Sequence, residues 1–203
     1  MLSGDSEVAV RAVAVGAATG AARGGYEGWR QDQDDERTRQ ITQAIRESNA
    51  SAQQTGLDAE ARQREHLTRF LGVWQMSGWV QETGGDRVNV SAQLNGNVHM
   101  TYFVEMAYID FKADGLDQQI WGTTTFGYDA DTGFEFSTRF NTLPDALEAS
   151  GGTFDSASRS FIFADSEYRT TIRFETPDRF TVTTTARIDG REQTVESYQL
   201  TRS

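Results

Sequence analysis

The stretch RFTVTTTARIDGREQTVESYQLTRS, residues 179–203, predicts two β-strands joined by a tight turn. Phe180, Val182 and Ala186 alternate with polar residues, which is the period-two pattern of a strand with one buried face. Asp189-Gly190 then supplies two residues suited to the left-handed backbone conformation of a two-residue hairpin. The same pattern recurs upstream, so these two predicted strands indicate the architecture of the whole β region.

The alternating pattern begins at Gly72 and continues to the end of the sequence. Short apolar-alternating segments are separated by turn residues, including Asn95-Gly96-Asn97. Such a series predicts a mainly β domain, and a closed antiparallel up-and-down barrel is favoured over a sandwich because closure removes exposed strand edges. The ten predicted strands are 73–80, 87–94, 98–109, 120–128, 134–141, 146–154, 160–164, 168–175, 179–188 and 194–201.

The first third of the chain has a different composition, rich in Ala, Arg, Glu and Gln, which predicts an N-terminal α-helical arm. Asp35 and Arg39 lie four residues apart, a spacing that supports a helix through an ion pair on one face. The predicted divisions are a helical arm over 1–56, a lead-in helix over 57–71 and a barrel over 72–203.

Glycines recur every four residues in the arm, which places them on one helical face. One interpretation is a flexible Ala/Gly-rich leader, and the other is a surface that lets two helices approach closely. The segment resembles the glycine-zipper segments of bacterial envelope proteins, which implies an envelope location and a protein partner or second copy. Insertion into a membrane is left open, because arginines flank the segment. The four glycines are Gly16, Gly20, Gly24 and Gly28.

Charge and cysteine content exclude some kinds of partner. The net charge is −11, and residues 71–203 carry 19 acidic against ten basic residues. A negative surface repels phosphate backbones, so nucleic acid is not expected as a partner. Cysteine is absent, which excludes disulfides and thiolate metal sites. A cytoplasmic location is expected if Met1 is the natural start.

Three residues look like the arrangement that closes one end of lipocalin or calycin barrels. Gly72 and Trp74 begin the first strand, and Arg202 ends the last one. The resemblance implies that the guanidinium group packs over the indole, a contact worth roughly 0.5–2 kcal/mol.

Several short, spaced motifs between about residues 67 and 202 carry a second resemblance. They are Leu71-Gly72-Val73-Trp74, Gly78, Leu94-Asn95-Gly96, Trp121-Gly122, Gly127-Tyr128-Asp129, Gly151-Gly152-Thr153-Phe154, Tyr198 and Arg202. In these motifs the chain resembles a bacterial family of calycin-like barrels, the domain of unknown function numbered fifteen seventy-nine. That family has no agreed enzymatic role. For Gly127, Tyr128 and Asp129, turn and packing roles are predicted.

Catalytic and cofactor motifs are absent from the sequence. It contains two histidines, His66 and His99, and no nucleophile elbow, phosphate-binding glycine loop or Ser/His/Asp order. Haem-binding relatives of the calycin fold use an axial histidine that usually lies late in the barrel. The resemblance to that fold therefore implies that haem is disfavoured, because residues 100–203 contain no histidine. A metal site at His99 with a carboxylate such as Glu105 has no recognisable spacing. No catalytic residue, cofactor or metal is therefore predicted.

Three functions remain open: binding of a small apolar or amphipathic ligand in the barrel, a structural or assembly role through the N-terminal helices, and a cryptic hydrolase or isomerase. Cavity volume separates the first two, because phenylalanines could fill the interior. Convergent polar groups in a cavity would favour the third. The predicted ligand-binding residues are Tyr102, Met106, Trp121, Phe136 and Phe140.

Overall fold

The fold is described from a computed structural model. It describes residues 54–81, 85–100, 103–143, 145–188 and 190–203. The glycine ladder, most of the predicted arm and Tyr102 therefore lie outside the described residues.

Ten antiparallel strands form a closed barrel in which each strand pairs with its neighbours in sequence. The barrel closes between the first and last strands, with registers from Trp74↔Arg202 to Val80↔Glu196. The predicted ten-stranded up-and-down barrel is confirmed. The strands are β1 (Gly72–Gln81), β2 (Arg87–His99), β3 (Phe103–Ala113), β4 (Ile120–Asp129), β5 (Gly133–Phe140), β6 (Leu147–Asp155), β7 (Ser160–Ala164), β8 (Tyr168–Thr176), β9 (Arg179–Ile188) and β10 (Arg191–Arg202).

Residues 95–97 do not form the predicted turn. They lie within β2, which continues to His99, and the chain reverses beyond it, where Met100 has a φ of 51°. A β-carbon at Gly96 would lie 2.0 Å from the carbonyl oxygen of Phe70. This glycine therefore permits a close backbone approach, and the predicted third strand begins too early.

A helix leads into the barrel. It is α1 (Gln54–Glu65), followed by a 3₁₀ helix over His66–Phe70. Leu67 and Phe70 are buried and belong to the core. No helix of the described residues is long and apolar enough to cross a membrane.

Phe70 is the centre of an aromatic cluster inside one end of the barrel. Its side chain is fully buried. Its ring centroid lies 4.2 Å from that of Phe126, 5.3 Å from Phe161, 5.2 Å from Phe174 and 5.6 Å from Phe180. The contacted rings come from β4, β7, β8 and β9, so one residue outside the strands joins much of the barrel wall.

The predicted closure by Trp74 and Arg202 is present at the same end. The guanidinium carbon of Arg202 lies 4.4 Å from the centroid of the Trp74 ring. The indole Nε1 donates to the carbonyl oxygen of Phe70 at 2.9 Å, and Arg202 Nη1 donates to that of Leu71 at 2.7 Å. Arg202 Nε also pairs with Asp178 Oδ1 at 3.0 Å. The first strand, the last strand and the entering helix are thereby joined.

Gly72 and Gly127 both lie where a side chain would collide with a neighbour. Gly72 has a φ of 105°, and a β-carbon there would lie 2.5 Å from the guanidinium group of Arg202. At Gly127 a β-carbon would lie 2.5 Å from the ring of Phe103. Both glycines allow aromatic or cationic groups to cover the backbone.

Tyr128 and Asp129 hold the turn between β4 and β5. The Tyr128 ring lies 4.9 Å from that of Phe134. Asp129 Oδ1 accepts hydrogen bonds from the backbone amides of Asp131 at 2.9 Å and Thr132 at 3.1 Å. This is a carboxylate capping its own turn, as predicted from the sequence.

A double-mutant cycle tests the closure. We expect Trp74→Ala to lower the free energy of unfolding by about 3–5 kcal/mol, because it opens a cavity in a fully buried site. Combined with Arg202→Ala, the loss should be smaller than the sum of the single losses by roughly 0.5–2 kcal/mol. Urea denaturation measures all three, and Trp121→Ala on the exposed surface is the control. Strict additivity would show that the two side chains do not interact.

Candidate ligand-binding site

A cavity of about 60 Å³ lies inside the barrel beside the Phe70 cluster. One water needs about 10–15 Å³ of such space, so the cavity has room for about four to six atoms of that size. Phe126 and Phe180 line it and contact Phe70, which therefore supports one side of its wall. Most of the lining is apolar, contributed by residues that include Met76, Leu94, Met106, Phe136, Ile172 and Leu200.

The phenylalanines that could have filled the interior leave this space open. All five are buried: Phe134, Phe140, Phe161, Phe163 and Phe180. Phe134 and Phe161 pack together with centroids 4.9 Å apart, and Phe161 in turn contacts the Phe70 cluster. Of the five, only Phe180 lines the cavity.

The predicted ligand-binding residues lie in different places. Met106 and Phe136 line the cavity. Phe140 is buried but packs on Tyr108, with ring centroids 5.1 Å apart, and does not reach the cavity wall. Trp121 is 62% exposed on the outside of β4 and does not line this cavity. The alternation of β4 turns Ile120 and Gly122 inward and Trp121 outward.

Hydroxyl groups form two small networks at the cavity, which Tyr108, Thr124, Thr138 and Thr170 line. Thr124 and Thr138 join β4 to β5 through a 2.8 Å hydrogen bond, and the Tyr108 hydroxyl lies 3.2 Å from Thr124. Thr170 and Thr184 join β8 to β9 at 3.0 Å. These pairs satisfy hydroxyl groups that would otherwise be costly to bury.

Glu196 is the acidic residue of the site, and it was not predicted from the sequence. Its side chain is fully buried and lines the cavity. It lies on β10 opposite Val80 of β1 and Thr184 of β9, next to an irregularity in the register at Thr194. A signal was available, since Glu196 shares the strand parity of Tyr198 and Leu200.

The carboxyl group of Glu196 lacks regular hydrogen bonds. Burial raises its pKa to about 8, and the nearby hydroxyls of Tyr198 and Thr184 offset part of that rise. Neither carboxyl oxygen makes a hydrogen bond of regular geometry with a described residue. A buried group in this state costs stability unless something else binds it.

The two tyrosines beside Glu196 stay neutral over the physiological range. Burial raises the pKa of Tyr108 to about 12. Burial, together with the charge of Glu196, raises the pKa of Tyr198 well above its usual value. Glu196 is therefore the group of this cluster that titrates near neutral pH. It can donate a hydrogen bond when protonated and accept one, or bind a cation, when ionised.

The described residues contain no group of three or more His, Asp or Glu side chains that could hold a metal ion. His99 is exposed at the end of β2, and its strand partner is Phe103, whereas Glu105 pairs with Asn97.

Comparisons with solved structures concern the fold alone. The chain is similar to the S-type phycobiliprotein lyase CPES from Guillardia theta, with 14% identity, a TM-score of 0.49, and coverage of 71% of this chain and 97% of that chain. EF1p2_mFAP2b bound to DFHBI matches at 11% identity and TM-score 0.40, covering 70% and 99% of the two chains. The redesigned β-barrel mFAP0, also bound to DFHBI, matches at 13% identity and a TM-score of 0.38, covering 66% of this chain and 99% of that chain. No family model and no curated protein sequence matches the chain, so the family resemblance inferred from its motifs stays a prediction.

The pH dependence of stability tests the state of Glu196. Its folded pKa of about 8 lies above the ordinary value of 4.5, so the folded protein holds this proton more tightly. The stability that Glu196 contributes is therefore complete below pH 4.5 and is lost as the pH rises through about 8. Glu196→Gln stays neutral at every pH and should remove this loss.

We expect the difference in free energy of unfolding between Glu196→Gln and the wild type to change by roughly 3–5 kcal/mol in favour of the variant from pH 5 to pH 9. Urea denaturation at each pH measures this difference. Glu192→Gln, an exposed change on the same strand, is the matched control and should follow the wild type. Parallel curves for the wild type and Glu196→Gln would show that Glu196 titrates normally.

Proposed function

We propose that this protein is a non-catalytic binding protein whose barrel holds a small amphipathic ligand. The observation that carries the proposal is the cavity, in which a mainly apolar wall surrounds a buried carboxyl group and two tyrosines. Binding sites for small molecules have this composition: apolar surface for affinity and a few placed polar groups for orientation.

The buried carboxyl group also argues that the cavity is a functional site and not a defect in core packing. An apolar residue in place of Glu196 would avoid the cost of desolvating a carboxyl group. Polar groups that break the rules of core packing without compensation are typical of functional sites. A ligand that satisfies Glu196 would supply the missing compensation.

Proton-transfer catalysis is a second candidate, which the position of Glu196 favours. A carboxyl group with a pKa of about 8 is suited to move protons near neutral pH. This would fit an isomerase or a hydrolase. Binding is proposed first because it needs only the cavity. Catalysis also needs a second group that can take up charge. Tyr108 and Tyr198 are poorly suited to that role, because their raised pKa values disfavour their ionisation.

An envelope location and association through the N-terminal arm also belong to the proposal. They are supported by the glycine ladder from Gly16 to Gly28, which lies outside the described residues. An assembly role of the arm is compatible with a ligand-binding barrel, since the two functions use different parts of the chain.

Methionine methyl groups provide a direct test of binding. Met76 and Met106 line the cavity, whereas Met100 is 55% exposed on the surface. We expect n-butanol, a probe of five non-hydrogen atoms, to produce saturable NMR shifts of the first two methyl signals and none of the third. Shifts that do not saturate, or that are equal at all three methionines, would contradict an internal site.

A filled cavity supplies the control variant. Val182→Phe places a larger side chain into the cavity wall and should abolish the saturable shifts at some cost in stability. Val98→Phe makes the same exchange at an exposed site and should leave binding unchanged.

A further inference from the structure

The carboxyl group of Glu196 specifies what kind of ligand the cavity can hold. It is fully buried, its two oxygens lack hydrogen bonds of regular geometry, and it lines the cavity. It forms no ion pair with a described residue. Buried carboxylates are stable when a cation and hydrogen-bond donors reach them, and the described part of the chain supplies no cation here.

The surroundings of Glu196 suit a positively charged ligand. Phe126 and Phe136 place aromatic rings in the same cavity, and ring faces attract cations. The strands beside Glu196 present neutral side chains, Val80 and Thr184. The titratable groups that interact with it are Tyr108 and Tyr198, both of which stay uncharged near neutral pH. A cation entering the cavity therefore meets no competing positive charge among these groups.

The net charge of the chain acts in the same direction. At −11, the protein attracts cations and repels anions at long range. An anionic ligand would also lie beside the carboxyl group of Glu196. If Glu196 ionised, the two negative charges would repel each other.

We propose that the ligand carries a protonated nitrogen, such as a primary amine on a short apolar chain, and that Glu196 binds this nitrogen as a carboxylate. The inference rests on the proposed ligand-binding function. The apolar wall holds the carbon chain, and the hydroxyls of Tyr198 and Tyr108 are near the charged pair. In the empty protein the carboxyl group is protonated at neutral pH, so binding of the ammonium group releases this proton to solvent.

Two probes of equal length separate the amine preference from general apolar binding. They are n-butylamine and n-butanol, titrated into the full chain at pH 6, 7 and 8 and followed by the methyl signals of Met76 and Met106. We expect the amine to bind at least about tenfold more tightly at pH 8, and its affinity to rise by up to about tenfold per pH unit below that. The affinity for butanol should not rise with pH.

Glu196→Gln should remove the preference for the amine and its pH dependence while butanol still binds. Glu192→Gln, on the exposed face of β10, should behave as the wild type. Calorimetry of the wild type in two buffers of different ionisation enthalpy should show release of about one proton per amine bound at pH 7. This measurement does not depend on the folding of any variant.

The outcomes distinguish the two proposals. Butanol binding without an amine preference, an amine preference that survives Glu196→Gln, or amine binding without proton release would overturn the inference and leave the ligand-binding function standing. Failure of both probes to bind would overturn the ligand-binding function, and the inference with it.

Discussion

The insertion of Phe70 into one end of the barrel is the contact on which the rest of the structure depends. This ring, which belongs to no strand, touches aromatic side chains of β4, β7, β8 and β9. Its backbone carbonyl accepts the indole hydrogen bond of Trp74 and lies against Gly96. Closure at this end thus couples the entering helix to both the barrel wall and the pair formed by Trp74 and Arg202. Since aromatic burial dominates core energetics, this end anchors the barrel.

The interior beyond that cluster is organised differently. Threonine pairs link neighbouring strands, and Glu196 lies beside tyrosines without a hydrogen bond of regular geometry to a described residue. Burying such a carboxyl group reduces stability above its ordinary pKa, and the aromatic end offsets this cost. The barrel thereby has an aromatic closed end and a separate interior that contains hydroxyl groups and a buried carboxyl group, a division that suits the proposed binding function.

The strand pattern of the sequence was sufficient to predict the fold and part of the core. Alternation located the ten strands, and the positions of Gly72, Trp74 and Arg202 predicted a contact that requires pairing of the first and last strands. Gly96 was misread because a glycine needed for a close backbone approach has the same sequence signature as one in a turn. That approach comes from a helix outside the strand pattern.

The candidate site was harder to predict, because the directions of the side chains decide which residues line it. Met106 and Phe136 share the inward parity of their strands and line the cavity, whereas Trp121 faces outward. Glu196 was missed because a charged residue near an irregular strand start is by default assigned to solvent. Its burial depends on the register of β10 against β1 and β9, which only the assembled barrel defines.

The carboxyl group of Glu196 lines the cavity, is fully buried and makes no hydrogen bond of regular geometry with a described residue, and its protonation can be measured directly. NMR titration of protein labelled with ¹³C at the glutamate side-chain carboxyls, with Glu196→Gln used to assign the signal, reports the pKa of this group. We expect a midpoint near 8 in the empty protein. Saturation with n-butylamine should move this midpoint downward, because the bound cation stabilises the carboxylate. A midpoint near the ordinary value of 4.5 in the empty protein would show that Glu196 is solvated or paired, and would contradict the account.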